Sequence, residues 1–261
     1  MGYKKFAVYV NSYDGSSDIW DTFFKIYDTY WSDCPYCIYL INNEKEYSHK
    51  RVQIINTGVE INWFHRTIKS LAILKEEYIL FLLEDYFISK EYNEHEINGI
   101  LSFIIKNKIF YYQLSPKGHG NSEIVPVCKN YEYPISLQPA IWHRETLLSI
   151  LKDINAISPW DFECYYNKLY DKTSNDIIPG AYYDNRDILG YKNGVLRGKW
   201  IPSTIRFFRK HGIMIYTGKR ARLSLLGEVK FCIAQYVSIM LPFKVKKRIK
   251  VLLYKLNFNY L

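Results

Sequence analysis

The sequence predicts an α/β fold, in which a mostly parallel sheet is flanked by helices and followed by a basic, helical C-terminal extension. Short apolar runs alternate with amphipathic helical segments over residues 5–87, as in sheets built with right-handed crossovers. Hydrophobic residues make up 48% of the 261 residues, which supports a sizeable core and excludes global disorder. The formal net charge of +9 is uneven, because Lys and Arg are concentrated after Lys192. We therefore expect a catalytic domain over residues 1–205 and an extension over residues 206–261.

The first elements are predicted in the order strand, helix, strand, strand, helix. Apolar runs indicate strands over residues 5–10, 36–41 and 52–55, each followed by polar turn residues. The first helix begins near Ser16 or Ser17, which can cap it, and the second covers residues 62–74.

The run YILFLLEDYF at residues 78–87 is the strand around which the sheet is organised. It is apolar up to Glu84 and Asp85, which is typical of a parallel strand buried on both faces. Polar groups then emerge at the carboxyl edge, where open α/β sheets bind ligands. The paired carboxylates predict a site for Mg²⁺ or Mn²⁺ held against a substrate diphosphate. The alternative is a solvated strand end.

Polar residues after the first three strands predict the rest of a nucleotide pocket. The candidates for contacts with the base and ribose are Asn11, Ser12, Asp14 and Thr57. Arg66 and Lys69, on the second helix, are candidates for contacts with phosphate. The same residue types are also common in plain turns and on surfaces.

The second half continues with a helix over residues 94–106, a strand over 109–114, a strand over 135–142 and a helix over 144–154. The glycine-containing loop at residues 115–121 could fold over a bound donor, and the alternative is an ordinary surface connection. In the sequence SPWDFE, Asp161 and Glu163 lie at a helix start, where a carboxylate can take a proton from an acceptor hydroxyl. The alternative is a pair of acids that stabilises the helix dipole.

The segment NGVLRGKW at residues 193–200 combines glycines, cations and an aromatic residue. Arg197 and Lys199 are predicted to contact a diphosphate. Trp200 is predicted to close the site by stacking.

The C-terminal extension predicts two helices, over residues 223–241 and 243–256. The second, FKVKKRIKVLLYKL, is short, basic and amphipathic, which is typical of helices that lie on anionic membranes. A helix packed on the body with a solvated basic face is the alternative. No nucleic-acid partner is expected, because aromatic residues are not interleaved with the charge in a known motif. Without a signal peptide at the start, we expect a cytoplasmic protein, peripheral at the inner face of the cell membrane.

Several motifs in order resemble the GT-A glycosyltransferases of bacterial capsule and lipopolysaccharide gene clusters. They are LLEDYF, LQPAIWHRETL, PWDFE and NGVLRGKW, and the resemblance covers residues 4–200. It implies a nucleotide-sugar donor, a divalent metal and a saccharide or lipid-linked saccharide acceptor. Where the family usually has Asp-X-Asp, this chain has Glu84-Asp85-Tyr86, so Asp85 is carried over as metal ligand with Glu84 in support.

By the same resemblance, Asp161 or Glu163 would be the general base of an inverting enzyme. Because the motif departs from Asp-X-Asp, a non-catalytic nucleotide- or saccharide-binding protein of a polysaccharide cluster is the main alternative. A nucleic-acid-processing enzyme would instead require strongly salt-dependent binding of DNA or RNA.

Overall fold

The computed structural model describes residues 5–59, 62–92, 94–116, 120, 122–154 and 158–240. The strands in these ranges are β1 (Phe6–Asn11), β2 (Cys37–Asn42), β3 (Val52–Asn56), β4 (Tyr78–Leu83), β5 (Tyr86–Phe87), β6 (Tyr111–Gln113), β7 (Ile124–Cys128), β8 (Ala140–His143), β9 (Ile177–Asp184), β10 (Lys192–Asn193), β11 (Val195–Leu196) and β12 (Lys199–Trp200). The helices are α1 (Ser17–Tyr30), α2 (Trp63–Ile73), α3 (Glu94–Lys106), α4 (Arg144–Asp153), α5 (Pro159–Leu169), α6 (Pro202–Lys210) and α7 (Leu225–Met240).

The main sheet has eight strands in the order β3-β2-β1-β4-β8-β6-β9-β7. Strands β1 to β4 are parallel to one another, and β6 and β9 run in the same direction as these. Among the described strands of this sheet, only β8 and β7 are reversed. The prediction of an α/β fold with a mostly parallel sheet is therefore confirmed.

Helices cover both faces of the sheet because the strand side chains alternate between two cores. Val8 and Val10 face a core formed with α1, α3 and α6. Tyr9 faces a second core formed with α2, α4 and α5. Apolar residues on both faces explain why the central strands appear as continuous hydrophobic runs in the sequence.

The predicted strand at residues 78–87 ends earlier than expected. β4 stops at Leu83, Glu84 and Asp85 form a turn, and β5 pairs with β10 in a separate two-stranded ribbon. The backbone N–H of Gly194 donates to the carbonyl oxygen of Asp85 at 2.7 Å, and a Cβ atom at Gly194 would clash with the Phe87 ring. A glycine next to β10 thus permits the ribbon that fixes the carboxylate turn.

Three strands beyond β4 differ from the prediction. β8 begins at Ala140 rather than at residue 135, since Pro139 has no N–H group for the ladder. β7 and β9 were not predicted from the sequence. Each contains a proline, Pro126 in β7 and Pro179 in β9. β7 is the outermost strand, where proline is tolerated, and Pro179 precedes residues 181–183, the part of β9 that pairs with β6.

The boundary predicted between residues 205 and 206 falls inside α6. Phe208 of this helix is fully buried and packs in the core that also holds α1, so α6 belongs to the body. α7 corresponds to the helix predicted over residues 223–241. The helix predicted over residues 243–256 lies outside the described residues. Within the described part of the chain, no helix is long and apolar enough to cross a membrane.

Candidate active site

Two cavities open at the carboxyl edge of the parallel strands. The first has a volume of about 570 Å³ and is lined by Asn11, Ser12, Tyr13, Asp14, Asn43, Glu44, Val59, Trp63, Arg66, Leu83, Glu84, Asp85 and Pro159. The second, of about 660 Å³, lies beyond β4 and is lined by residues of the strand ends and of the C-terminal helices. These include Gln113, Ser115, Ser136, Gln138, Glu163, Tyr191, Lys192, Asn193, Thr204, Phe207, Phe231 and Cys232.

The end of β1 supplies three polar residues to the first cavity, and each is fixed by a partner. The Asn11 amide donates to the Thr67 hydroxyl at 2.9 Å, and the Ser12 hydroxyl accepts the indole N–H of Trp20 at 2.8 Å. The Asp14 carboxylate accepts backbone N–H groups of residues 43–45 at 3.1 to 3.3 Å. Asp14 therefore holds the loop after β2 against the cavity.

Arg66 is the predicted phosphate-binding residue that the structure brings to the first cavity. Its side chain is buried and its guanidinium lies 5.6 Å from the centre of the Tyr13 ring. Thr57 and Lys69 line neither cavity. The Thr57 hydroxyl donates to the Asn42 carbonyl at 2.8 Å, and the exposed Lys69 ammonium donates to the Thr57 carbonyl at 3.2 Å.

Glu84 and Asp85 are adjacent, half-buried and part of the first cavity. Burial raises the pKa of Glu84, against the opposing effects of Ser16, Arg220 and Arg66. Burial and then the negative charge of Glu84 raise the pKa of Asp85 to about 8. The pair thus concentrates negative charge in a poorly solvated place, which a cation would stabilise.

Arg220 provides positive charge near this pair, although it lies far away in the sequence. Its guanidinium donates two hydrogen bonds to the Asp18 carboxylate, at 2.6 and 2.9 Å, and a third to the Gly198 carbonyl at 3.3 Å. Asp18 is in the first turn of α1. The bidentate pair ties the segment before α7 to the start of α1, and it raises the pKa of Arg220.

The structure separates the two predicted general bases. Glu163 lines the second cavity, and its Oε1 accepts the backbone N–H of Leu137 at 2.8 Å. Asp161 is exposed and lines neither cavity. Its carboxylate accepts the N–H and the hydroxyl of Ser158 at 2.9 and 2.7 Å, completing a capping box at the start of α5.

The second cavity contains a network of amides and hydroxyls that the sequence prediction missed. Gln113 lies at the end of β6 and its amide group donates to the Ser115 hydroxyl at 2.9 Å. The Gln113 carbonyl accepts hydrogen bonds from Tyr111 at 2.7 Å and from Ser136 at 3.2 Å. The Tyr191 hydroxyl donates to the side chain of Gln138. Amides, hydroxyls and aromatic rings together suit the hydroxyl groups and apolar faces of a sugar.

Tyr86 and Tyr191 form a pair of side chains whose pKa values are affected by acids of both cavities. Their ring centres are 5.1 Å apart. Burial is the largest cause of the raised pKa of each tyrosine, and the negative charges of Asp85 and Glu163 add to it in both. Asp85 of the first cavity and Glu163 of the second thus both act on this pair of side chains.

Arg197 and Lys199, the residues predicted to contact a diphosphate, line neither cavity. Arg197 and Lys199 are exposed on the β11–β12 hairpin. Trp200 is fully buried, packs 6.1 Å from Phe87 and donates its indole N–H to the Thr217 carbonyl at 2.9 Å. Trp200 is therefore a core residue, and its buried position does not support the predicted role of stacking over the site. Residues 117–119 and 121 of the predicted covering loop lie outside the described residues.

The donor set at Glu84 and Asp85 fits a hard divalent cation. Carboxylate oxygens are the ligands that Mg²⁺ and Mn²⁺ prefer. Among the described residues, His, Cys, Asp and Glu side chains form no cluster of three or more suited to a metal. The remaining ligands would come from substrate phosphates and water, which is usual for Mg²⁺.

Neither a family model nor a curated protein matches this chain. Solved structures are similar at low identity. S. aureus TarS 1–349 is 14% identical with a TM-score of 0.42, over 93% of this chain and 68% of that one. A second S. aureus TarS structure has 15% identity and a TM-score of 0.39, and the match spans 98% of this chain but only 44% of that one.

An active-site mutant of LgtC is 8% identical with a TM-score of 0.45, over 82% of this chain and 98% of that one. A cytidylyltransferase from Leptospira borgpetersenii is 11% identical with a TM-score of 0.38, over 97% and 96% of the two chains. All four TM-scores are below 0.5, and the functional proposal rests on the site alone.

Proposed function

We propose that the protein is a glycosyltransferase that moves a sugar from a nucleotide-sugar donor to a hydroxyl of a saccharide or lipid-linked saccharide. The observation that carries the proposal is the turn of Glu84 and Asp85 at the end of β4, which lines the first of two cavities with different chemistry. The first cavity combines acids with Arg66, and the second combines amides, hydroxyls and rings with Glu163.

The donor nucleotide would occupy the first cavity. Asn11, Ser12 and Asp14 form the wall for the base and ribose, and Arg66 provides positive charge for the diphosphate. Glu84 and Asp85 would hold Mg²⁺ or Mn²⁺, which offsets the charge that develops on the leaving nucleoside diphosphate.

The acceptor would occupy the second cavity, with one hydroxyl near Glu163. In the proposed displacement, this oxygen bonds to the anomeric carbon as the bond from that carbon to the phosphate oxygen breaks. The hydroxyl proton passes to the Glu163 carboxylate, and the nucleoside diphosphate leaves with the electron pair. The backbone N–H of Leu137 holds the Glu163 carboxylate in position.

The setting we propose is bacterial surface-polysaccharide synthesis at the inner face of the cell membrane. The basic, amphipathic segment at residues 243–256 would attach the otherwise cytoplasmic protein to anionic lipid. This setting is suggested by the resemblance of the motifs and by the charge of the segment.

Release of nucleoside diphosphate from a panel of nucleotide sugars, with Mn²⁺ and a mixture of saccharide acceptors, tests the proposal. We expect Glu163→Gln to slow acceptor-dependent release by about 10²–10⁴-fold, which is the usual contribution of a general base. Asp161→Asn is the matched control and should stay within about twofold of the wild type, because it lines neither cavity. If Glu163→Gln is fully active, Glu163 is not the general base.

A further inference from the structure

An exposed apolar stripe lies on α7, the helix that also forms part of the second cavity. Leu225 and Leu226 are 76% and 66% exposed, and Val229 and Ile233 are 49% and 39% exposed. At 100° per residue these four side chains fall within an arc of about 100°, the width of stripe that usually faces a core. On α7 this stripe faces solvent, whereas Gly227 and Glu228 on the other side are buried.

The stretch of sequence that contains the stripe is strongly basic. Residues 206–261 contain 13 Lys and Arg and one acid, a formal charge of +12, whereas residues 1–205 carry −3. The one acid, Glu228, is buried, accepts the N–H of Ser203 and lies 3.5 Å from the Arg206 guanidinium. Lys219 and Arg222, shortly before the stripe, are exposed.

We propose that the α7 stripe, formed by Leu225, Leu226, Val229 and Ile233, docks on the surface of an anionic lipid bilayer. Aliphatic side chains next to exposed cations match a layer of acyl chains beneath negatively charged headgroups. A symmetric pairing of two copies through this face would bring two segments of charge +12 together, which is repulsive. Nucleic acid fits poorly, because the stripe offers no aromatic ring for stacking.

Docking in this way places the second cavity at the membrane. Phe231 and Cys232 line that cavity and belong to the same two turns of α7 as the stripe. The acceptor is then a lipid-linked saccharide whose tail stays in the bilayer while its sugar enters the cavity. This narrower statement rests on the proposed function, whereas the docking surface does not.

Cosedimentation of the full chain with vesicles tests the surface. The vesicles contain phosphatidylcholine alone or mixed with phosphatidylglycerol, and the test variant is Leu225→Ser/Leu226→Ser. The matched control is Ile73→Ser/Leu169→Ser, which removes comparably exposed apolar side chains, 60% and 49%, that line neither cavity. We expect the wild type and the control to bind the mixed vesicles only, and the test variant to bind about tenfold more weakly or less.

Unchanged binding of the test variant would overturn the proposal and assign the binding to the basic segment at residues 243–256 instead. Equal binding to both kinds of vesicle would also overturn it. A third result would also overturn it. If light scattering shows that the wild type is a dimer and the test variant a monomer, the stripe binds a second copy of the chain and not the bilayer. Donor hydrolysis without vesicles is measured on the same proteins. If the wild type does not hydrolyse any donor, this counts against the proposed function but does not affect the proposed docking surface.

Discussion

Asp85→Asn should make the protein less sensitive to alkaline pH. The pKa of Asp85 is raised to about 8 by burial and by Glu84, whereas an unfolded aspartate has a pKa of about 3.9. Between these values the folded protein binds a proton that the unfolded chain does not bind, so the free energy of unfolding falls as pH rises. The stabilisation is complete below the unfolded pKa and is lost as pH rises through about 8.

The size of this effect follows from the two pKa values. From pH 6 to pH 8 the carboxyl group would cost about 2 kcal/mol of stability. In a chain of this size that corresponds to a decrease of about 4–8 °C in melting temperature. Asn has the same shape and no charge, so the variant should lack this decrease.

Melting curves of wild type and Asp85→Asn at pH 6, 7 and 8 provide the measurement. Glu46→Gln is the control, because Glu46 is an exposed carboxylate on the loop between β2 and β3. Excess Mn²⁺ at pH 8 should restore stability to the wild type and to the control, and much less to Asp85→Asn. If the melting temperatures of the wild type and of Asp85→Asn change equally with pH, the raised pKa of Asp85 is refuted.

Three further predictions test other parts of the site. Arg66→Gln should weaken binding of the nucleoside diphosphate by about 10- to 100-fold in calorimetry, since a charge-assisted hydrogen bond is lost; an unchanged Kd would place the diphosphate elsewhere. Asp161→Ala should lower the free energy of unfolding in urea by about 1 kcal/mol by opening the capping box with Ser158, with transfer maintained, and a loss of transfer would contradict its structural role. Trp200→Ala should cost about 3–5 kcal/mol in the same assay, whereas an unchanged urea midpoint would contradict its place in the core.

The strand ends show how far the sequence alone can lead. Apolar runs define strands, and the carboxyl ends of parallel strands meet at one edge, so Asn11 and Asp85 could be placed at one site from the sequence. The same rule applied to the strand predicted at residues 109–114 would have identified Gln113. Thr57 also follows a strand, but its hydroxyl bonds to Asn42 instead, because its strand lies at the edge of the sheet, away from β4.

Other features depend on tertiary contacts that leave no local pattern. Arg220 and Asp18 pair across 202 positions of the chain, and neither residue is distinctive in its own segment. The glycines and cations beside Trp200 indicate an exposed loop, yet packing on Phe87 buries the indole. Likewise, Asp161 and Glu163 are equivalent in a sequence motif, and only the fold shows that one caps a helix while the other faces a cavity.

The central claim is that the first cavity binds the nucleotide of a sugar donor through the carboxylates at the end of β4. Thermal denaturation with a panel of nucleoside diphosphates and nucleotide sugars, each with and without Mn²⁺, tests it directly, because a ligand that binds only the folded state raises the melting temperature. We expect one nucleotide, at about 100 times its Kd, to raise the melting temperature by about 5–10 °C with Mn²⁺. The increase should be much smaller without Mn²⁺ and in Asp85→Asn. No increase with any nucleotide, or an equal increase in Asp85→Asn with Mn²⁺, would contradict the account.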